Sequence, residues 1–167
     1  IFGLETEKFN NQIKNKIYKS NKDLDIELKK IKLTLDPLNF KIDVKTIGPK
    51  LFFKNKYIQL EFIKTKISLN SFFKNKIISS KLEFSTRSIL LRDLITFARS
   101  VTDKPELFIL EKSIKNGHVI VNVDFNLDEN GNIKKDYKIK ANLKDGKIKF
   151  LKDYNFENIN FSIEVYE

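Results

Sequence analysis

The side chains able to do chemistry are few, and their spacing does little with them. His118 is the only histidine, and the chain has no cysteine. A Ser–His–acid arrangement could be built only around that one residue, and no histidine pair exists to hold a metal. Without cysteine there is neither a disulfide nor a thiolate metal site. His118 falls on the polar parity of an alternating stretch, which places it in solvent. Asp124 and Asp128 stand on the same polar side with Asn126 between them. Carboxylates so exposed rarely have tuned proton affinities, so they make a poor acid–base pair. Asp128-Glu129-Asn130-Gly131 faintly resembles a calcium loop but lacks that loop's spacing and its closing glutamate, so it reads as a hairpin turn. Glycine is scarce, and no loop has the spacing that cradles a phosphate. The sequence therefore predicts neither an enzyme nor a bound cofactor nor a metal.

The formal charge is +10, which invites nucleic acid or an anionic membrane surface as partner. Of the 32 basic residues only Arg87, Arg92 and Arg99 are arginine, and the rest of the chain is crowded with Lys, Asn and Ile. Those three residue types share A/T-rich codons, so genome composition alone pushes the surface basic. Nucleic-acid binders favour arginine for bidentate contacts, and no clustered basic run is present. Nucleic acid is thus set aside, and a weak preference for anionic lipid head groups remains. No apolar run is long enough to span a bilayer, and no signal peptide is recognisable. Methionine is absent altogether, so Ile1 is expected to be a cut or processed end of a longer protein that also continues past Glu167.

The elements that dominate are strands. Val119, Val121, Val123, Phe125 and Leu127 are apolar, and Asn122, Asp124, Asn126 and Asp128 between them are polar, which is the signature of a long half-buried strand. Glu129-Asn130-Gly131-Asn132 supplies turn residues that tolerate positive φ. Tyr137, Ile139, Ala141 and Leu143 then alternate with Lys138, Lys140, Asn142 and Lys144. Asp145-Gly146 reads as a further two-residue turn, with Ile148 and Phe150 on a third strand and Ile159, Phe161, Ile163 and Val165 on a last one. At about 3.4 Å per residue such strands run to roughly 30 Å or more. This parity predicts that Val119, Val121, Val123, Tyr137, Ile139 and Leu143 share one concave face, with Lys138 and Lys140 exposed.

Upstream, Phe9, Ile13 and Ile17 give an apolar stripe on a helix over 5–19, with Thr6 as N-cap. Leu24, Ile26 and Leu28 then change phase to Ile31, Leu33 and Leu35, which predicts a β-bulge around Lys29-Lys30. Asp36-Pro37-Leu38-Asn39 is a turn into Phe40, Ile42 and Val44, and Gly48-Pro49 breaks that strand. Leu51 and Phe53 turn at Lys54-Asn55-Lys56 into Ile58, Leu60 and Phe62, with Ile67 and Leu69 out of phase. Four strands joined by tight turns make an antiparallel meander. Asn70 to Lys76 reads as a turn or short helix, and Ile78, Leu82, Phe84 and Thr86 as the start of a strand running toward Leu91. Arg92 to Val101 is helical, with Leu94, Ile95, Ala98 and Val101 on one face. A second helix starts at Asp103 and Pro105 and runs to Gly117 with Leu107, Leu110 and Ile114 inward, the pair capping an open end of the sheet.

The order of these pieces is similar to a known family. The opening GLETEKFNNQIKNKI, the SLNSFFKNK connector, SILLRDLITFAR, PELFILEKSIKNG and the long strand with ENGNI and DGKIKFL together resemble the N-terminal region of the AsmA-like proteins (the AsmA, TamB and YhdP group) of Gram-negative bacteria. The resemblance spans nearly the whole chain, although its motifs are packing patterns and hold no catalytic residues. It implies one segment of a larger protein: an α+β fold with a long, strongly curved antiparallel sheet shaped as a groove, an N-terminal amphipathic helix (1–22), a first meander (23–91), a two-helix insertion (92–116) and a second meander (117–167). It implies a periplasmic bridge anchored in the inner membrane by a helix upstream of Ile1, carrying phospholipid acyl chains toward the outer membrane, with outer-membrane or periplasmic proteins as further partners. The groove candidates are Phe40, Ile42, Val44, Ile58, Leu60, Phe62, Leu82, Phe84, Val119, Val121, Val123, Phe125, Ile139, Leu143, Phe161 and Ile163. The alternative is a non-enzymatic scaffold of outer-membrane biogenesis, in which the same residues form a closed core.

Overall fold

Lines of β-structure that alternate apolar and polar along most of their length have one economical solution, which is to lie side by side and turn the apolar parity the same way. The computed structural model, which describes residues 3–7, 10–20, 22–70, 79–102, 104–128, 133–150 and 154–166, has that arrangement. Its strands are β1 (Gly3–Thr6), β2 (Leu24–Glu27), β3 (Ile31–Asp36), β4 (Lys41–Ile47), β5 (Lys50–Phe53), β6 (Lys56–Ser68), β7 (Ser79–Thr86), β8 (Ile89–Leu90), β9 (Ile114–Leu127), β10 (Ile133–Phe150) and β11 (Tyr154–Tyr166). Helix α1 (Asn10–Ser20) follows β1, and α2 (Leu91–Val101) and α3 (Pro105–Ser113) follow β8. All strands join one open sheet of order β1-β3-β4-β6-β7-β9-β10-β11, with β5 beside β6, β2 beside β5 and β8 beside β9. Every pairing is antiparallel.

The first three lines are interrupted at a common level. β2 pairs with β5 and β3 with β4, so 24–36 and 41–53 are two long strands broken at 28–30 and at Gly48-Pro49. β6 meets β5 through Lys56–Gln59 and β4 through Phe62–Ser68, with a register shift between Leu60 and Phe62. Gly48 takes φ +62°, where a Cβ would be strained. At Gly48-Pro49 hydrogen bonds cross the break. Gly48 N–H donates to Glu61 O at 2.8 Å and Leu60 N–H to Pro49 O at 2.9 Å, while the Gln59 amide reaches the Gly48 and Pro49 carbonyls at 3.0 and 3.2 Å.

Two buried clusters form the core. Ile26, Ile58, Leu60 and Ile63 are packed by Ile17 of α1 and by Leu94 and Phe97 of α2. Ile31, Ile42, Val44 and Ile67 are packed by Ile13 of α1 with Leu33 and Leu69. Asp93 in the first turn of α2 and Arg99 in the last complement its dipole, and Pro105 opens α3 where its missing N–H costs nothing. Glu111 ties α3 to α2, accepting the Thr96 hydroxyl at 2.6 Å and pairing with Arg99.

Several expectations are corrected. Gly3–Thr6 is a strand on β3, so the helix begins at Asn10 and Thr6 does not cap it, and Phe9 lies outside the described residues. The phase change near Lys29-Lys30 is a strand break at which the chain changes partner, rather than a bulge within one ladder. Asp145-Gly146 is not a turn. β10 runs through it, with Asp145 at φ +53° and register shifts on either side, so the residues suited to a hairpin make a bulge instead. α3 stops at Ser113, and Ile114, 1% exposed, already belongs to β9. On α2, Phe97 turns inward in place of Val101, which is exposed. The Glu129–Asn132 turn, Asp103, most of the 70–76 connector and Ile78 lie outside the described residues.

Candidate functional site

Cross-strand partners in an antiparallel ladder point to the same side of the sheet, so the register alone traces one continuous apolar face. Leu4 lies opposite Leu33, Leu33 opposite Val44, and Leu35 opposite Ile42, which faces Ile67. Ile63 lies opposite Phe84, Phe84 opposite Val123, and Leu82 opposite Phe125. Val123, Val121 and Val119 then meet Ile139, Ala141 and Leu143, which in turn meet Val165, Ile163 and Phe161. A ring ladder runs along part of it, with Phe84 edge-on to Phe125 at 5.9 Å between centroids and Phe125 tilted to Tyr137 at 6.5 Å.

This face is covered unevenly. Ile42, Val44, Ile58 and Leu60 are buried in the two helix-covered clusters, and Leu82 and Phe84 are half-buried beside the first. Val119 and Leu143 are buried where β9 and β10 meet near Gly117 and Gly146. Beyond them the cover ends. Val121, Val123, Phe125 and Ile139 are half-buried, while Phe161, Ile163 and Val165 on β11 remain 45%, 46% and 45% exposed.

Two of the candidate residues leave the face. Phe40 sits in the turn before β4 at φ +50° and is 73% exposed, because the Asp36 carboxylate, which accepts the Asn39 N–H, holds the chain in the turn one residue longer than alternation implies. Phe62 falls just past the register shift in β6, which sends it to the polar side and brings Ile63 inward. There Lys45 lies over its ring at 4.4 Å. The alternation carried no mark of that shift beyond the late phase change to Ile67.

The polar face is a set of ion pairs laid over lysines. Lys32, Lys45 and Lys64 stand directly opposite one another on β3, β4 and β6. Further on, Lys81 reaches both Glu83 and Asp124 at 3.1 Å, and Lys138 pairs with Glu164. Partial burial works against the charge on Lys81, but its bonds to Asp124 and Glu83 outweigh that and hold its proton more tightly than usual. Asp124 therefore works as one half of an ion pair. His118 is exposed opposite Leu90 and Lys144. Among the described residues no group of three His, Cys, Asp or Glu side chains is placed to hold a metal ion, and no helix is long and apolar enough to cross a membrane.

A cleft of about 450 Å³ opens between α2 and the β5–β6 hairpin, floored by Ile58, Ile89 and Phe97 and rimmed by Tyr57, Gln59 and Asp93. Comparison of the chain with protein-family models, with curated proteins and with solved structures finds no match, so the geometry of the apolar face is what any functional reading has to rest on.

Proposed function

We propose that the chain is a segment of an AsmA-like, non-enzymatic bridge that is anchored in the inner membrane upstream of Ile1, lies in the periplasm and passes phospholipid toward the outer membrane. In this reading the sheet curves into a groove, α1 is the amphipathic helix at its start, and the acyl chains run along the apolar side of β9, β10 and β11. The observation that carries it is the uncovered stretch of that side, where Phe161, Ile163 and Val165 are nearly half exposed in register with half-buried Val121, Val123 and Ile139. A soluble domain that closed its own core would not leave a row of large apolar side chains facing water. An acyl chain laid there gains about 0.8 kcal/mol per buried methylene while its head group stays wet.

A second reading, a scaffold in outer-membrane biogenesis whose core is closed, is favoured by the other end of the sheet. There α1 and α2 already cover Ile26, Ile31, Ile58 and Leu60 as an ordinary core would be covered.

The two readings separate on Val121→Asp and Ile139→Asp. Along an open track both variants fold and melt within a few degrees of the parent, because the carboxylate reaches water, yet they lose co-purifying lipid measured by mass spectrometry. In a closed core each buries an unpaired carboxylate and the fold is lost. Unfolding, or lipid content equal to the parent's, overturns the bridge.

A further inference from the structure

We infer that the polar side of the sheet docks on an anionic phospholipid surface through Lys32, Lys45 and Lys64. Elsewhere on that side the ladder sets lysine against acid, as with Lys66 opposite Asp43 and Lys138 opposite Asp124. Here it sets Lys32 opposite Lys45 and Lys45 opposite Lys64. Among the described residues no other rung of the sheet puts lysine against lysine. Like charges in that position are destabilising, and the row does not relieve them from within. It ends on Glu5 beyond Lys32 and on Glu83 beyond Lys64. Both acids are drawn to other lysines, Glu5 to Lys30 at 3.2 Å and Glu83 to Lys81 at 3.1 Å. The row beside it keeps its own pair, Asp43 with Lys66 at 4.0 Å. Glu61 is exposed at the register shift in β6, one acid beside three ammonium groups that have no carboxylate partner among the described residues.

The neighbours of the row favour a bilayer. Ile47 and Phe62 stand opposite each other on the same side, two residues along from Lys45 and Lys64, and Ile47 is 47% exposed. Positive charge beside an exposed aliphatic side chain suits the head-group layer, where phosphates meet ammonium groups and apolar groups reach the acyl boundary. Lysine serves there as a point charge that accepts a phosphate from many directions. A nucleic acid strand would need an open ring for its bases to stack on, and Lys45 already lies over the Phe62 ring at 4.4 Å. β3, β4 and β6 have β1 and β7 on either side, so the row lies within the sheet and not at an edge. The inference does not rest on lipid passage, because the apolar track lies on the other side of the sheet.

Vesicles of phosphatidylcholine with phosphatidylglycerol should carry the 167-residue chain on flotation, and vesicles of phosphatidylcholine alone should not. Lys45→Gln/Lys64→Gln should weaken that binding by about 25-fold, about fivefold for each lysine near the surface. It should melt no lower than the parent, because a repulsion has been removed. Lys140→Gln/Lys144→Gln takes as much charge from exposed positions on the same side, three strands further on. That lies beyond the roughly 10 Å over which charges act in salt, so its binding should match the parent's. Equal loss in the two double variants overturns the inference, since net charge alone would then be responsible. So does absence of binding to the anionic vesicles, or equal binding to phosphatidylcholine alone, which would come from the apolar side. Tighter binding to single-stranded RNA at the same salt overturns it in favour of nucleic acid. In the parent itself, a spin label on the phosphatidylglycerol head groups should broaden amides of β3, β4 and β6 before those of β10. The opposite order overturns the inference even if a variant fails to fold.

Discussion

From β2 to β7 the apolar side of the sheet packs against α1 and α2, whereas from β9 to β11 the helices reach only β9 and a neighbouring part of β10, and Phe161, Ile163 and Val165 on β11 stay exposed. Both regions read alike in sequence, as alternating Ile, Leu, Val and Phe. The difference lies in what the chain places over them. Ile31 and Ile163 are both strand isoleucines on this face, yet one is 0% and the other 46% exposed. Apolar alternation therefore reports which side of a strand is greasy and says nothing of what meets it. In the covered region that partner is intramolecular and contributes to folding, while in the open region it is left to be supplied.

The widest separation comes from placing one charge in each region. Ile31→Asp puts a carboxylate beneath α1 with no partner and should cost several kcal/mol, a large part of a total stability of about 5–15 kcal/mol. Its cooperative thermal transition should disappear or fall by tens of degrees. Ile163→Asp, whose carboxylate reaches water, should stay within about 1 kcal/mol of the parent. Circular dichroism melts of the two decide it. Equal collapse would mean that the β9–β11 face is covered in solution, and equal tolerance would mean that α1 does not seal the other end.

What could be read in advance follows from where the physics is local. Strand parity is local, so the shared face of Val119–Phe125 with Tyr137–Leu143 and the exposure of Lys138 and Lys140 were legible. So were the breaks at Gly48-Pro49 and Lys54-Asn55, because glycine tolerates the positive φ found at Gly48, proline cannot continue a ladder and asparagine favours turns, although it is Lys54 that takes the left-handed backbone at the second break. What was not legible was any choice made by distant partners. Asp145-Gly146 suits a hairpin and a bulge equally, and β11 running alongside settles it, since Asn160 accepts the Asp145 N–H at 2.9 Å. Phe62 and Ile63 compete for the inward position, and the register of β7 against β6 picks Ile63. Gly3–Thr6 reads as the start of a helix until β3 is there to pair with it. Of the candidate face, the composition was legible and the cover was not.

The border between the two regions can be sharpened at Gly146. A Cβ there would stand 2.9 Å from Leu143 Cδ2 and 3.0 Å from both Ile159 Cβ and Ile159 O, and across the ladder Gly117 presses on the same spot. Gly146→Ala must push β10 and β11 apart at the buried root of the open arm, an overpacking cost of about 1–3 kcal/mol. Asp145→Gly, one residue away, removes only a left-handed Cβ and should change stability by no more than about 0.5 kcal/mol. Faster amide exchange in 154–166 of Gly146→Ala, with α2 unchanged, would show that the open arm loosens by itself. Loss spread evenly over the molecule would show that the two regions unfold as one unit.

The smallest effect tests the cover itself, at the joint between α2 and α3. The Thr96 hydroxyl, followed by Arg99, holds the Glu111 carboxyl below the ordinary glutamate range of about 4.3, with partial burial pulling the other way. A carboxyl whose proton affinity is lower folded than unfolded adds stability that is complete above that ordinary range and is lost as pH falls through the depressed value. The group is partly solvated, which limits the gain to at most about 1 kcal/mol, or about 2–4 °C in melting temperature for a chain of this size. Glu111→Gln keeps the shape without the charge, so it should melt slightly below the parent at neutral pH and converge with it in acid. If the covering helices matter only to the closed region, that small gap should appear in the exchange of α2 and β6 amides and be absent from β11. A gap equally large in β11 would mean that the open face draws on the same helices for its order, and the contrast between the two regions would be one of exposure alone.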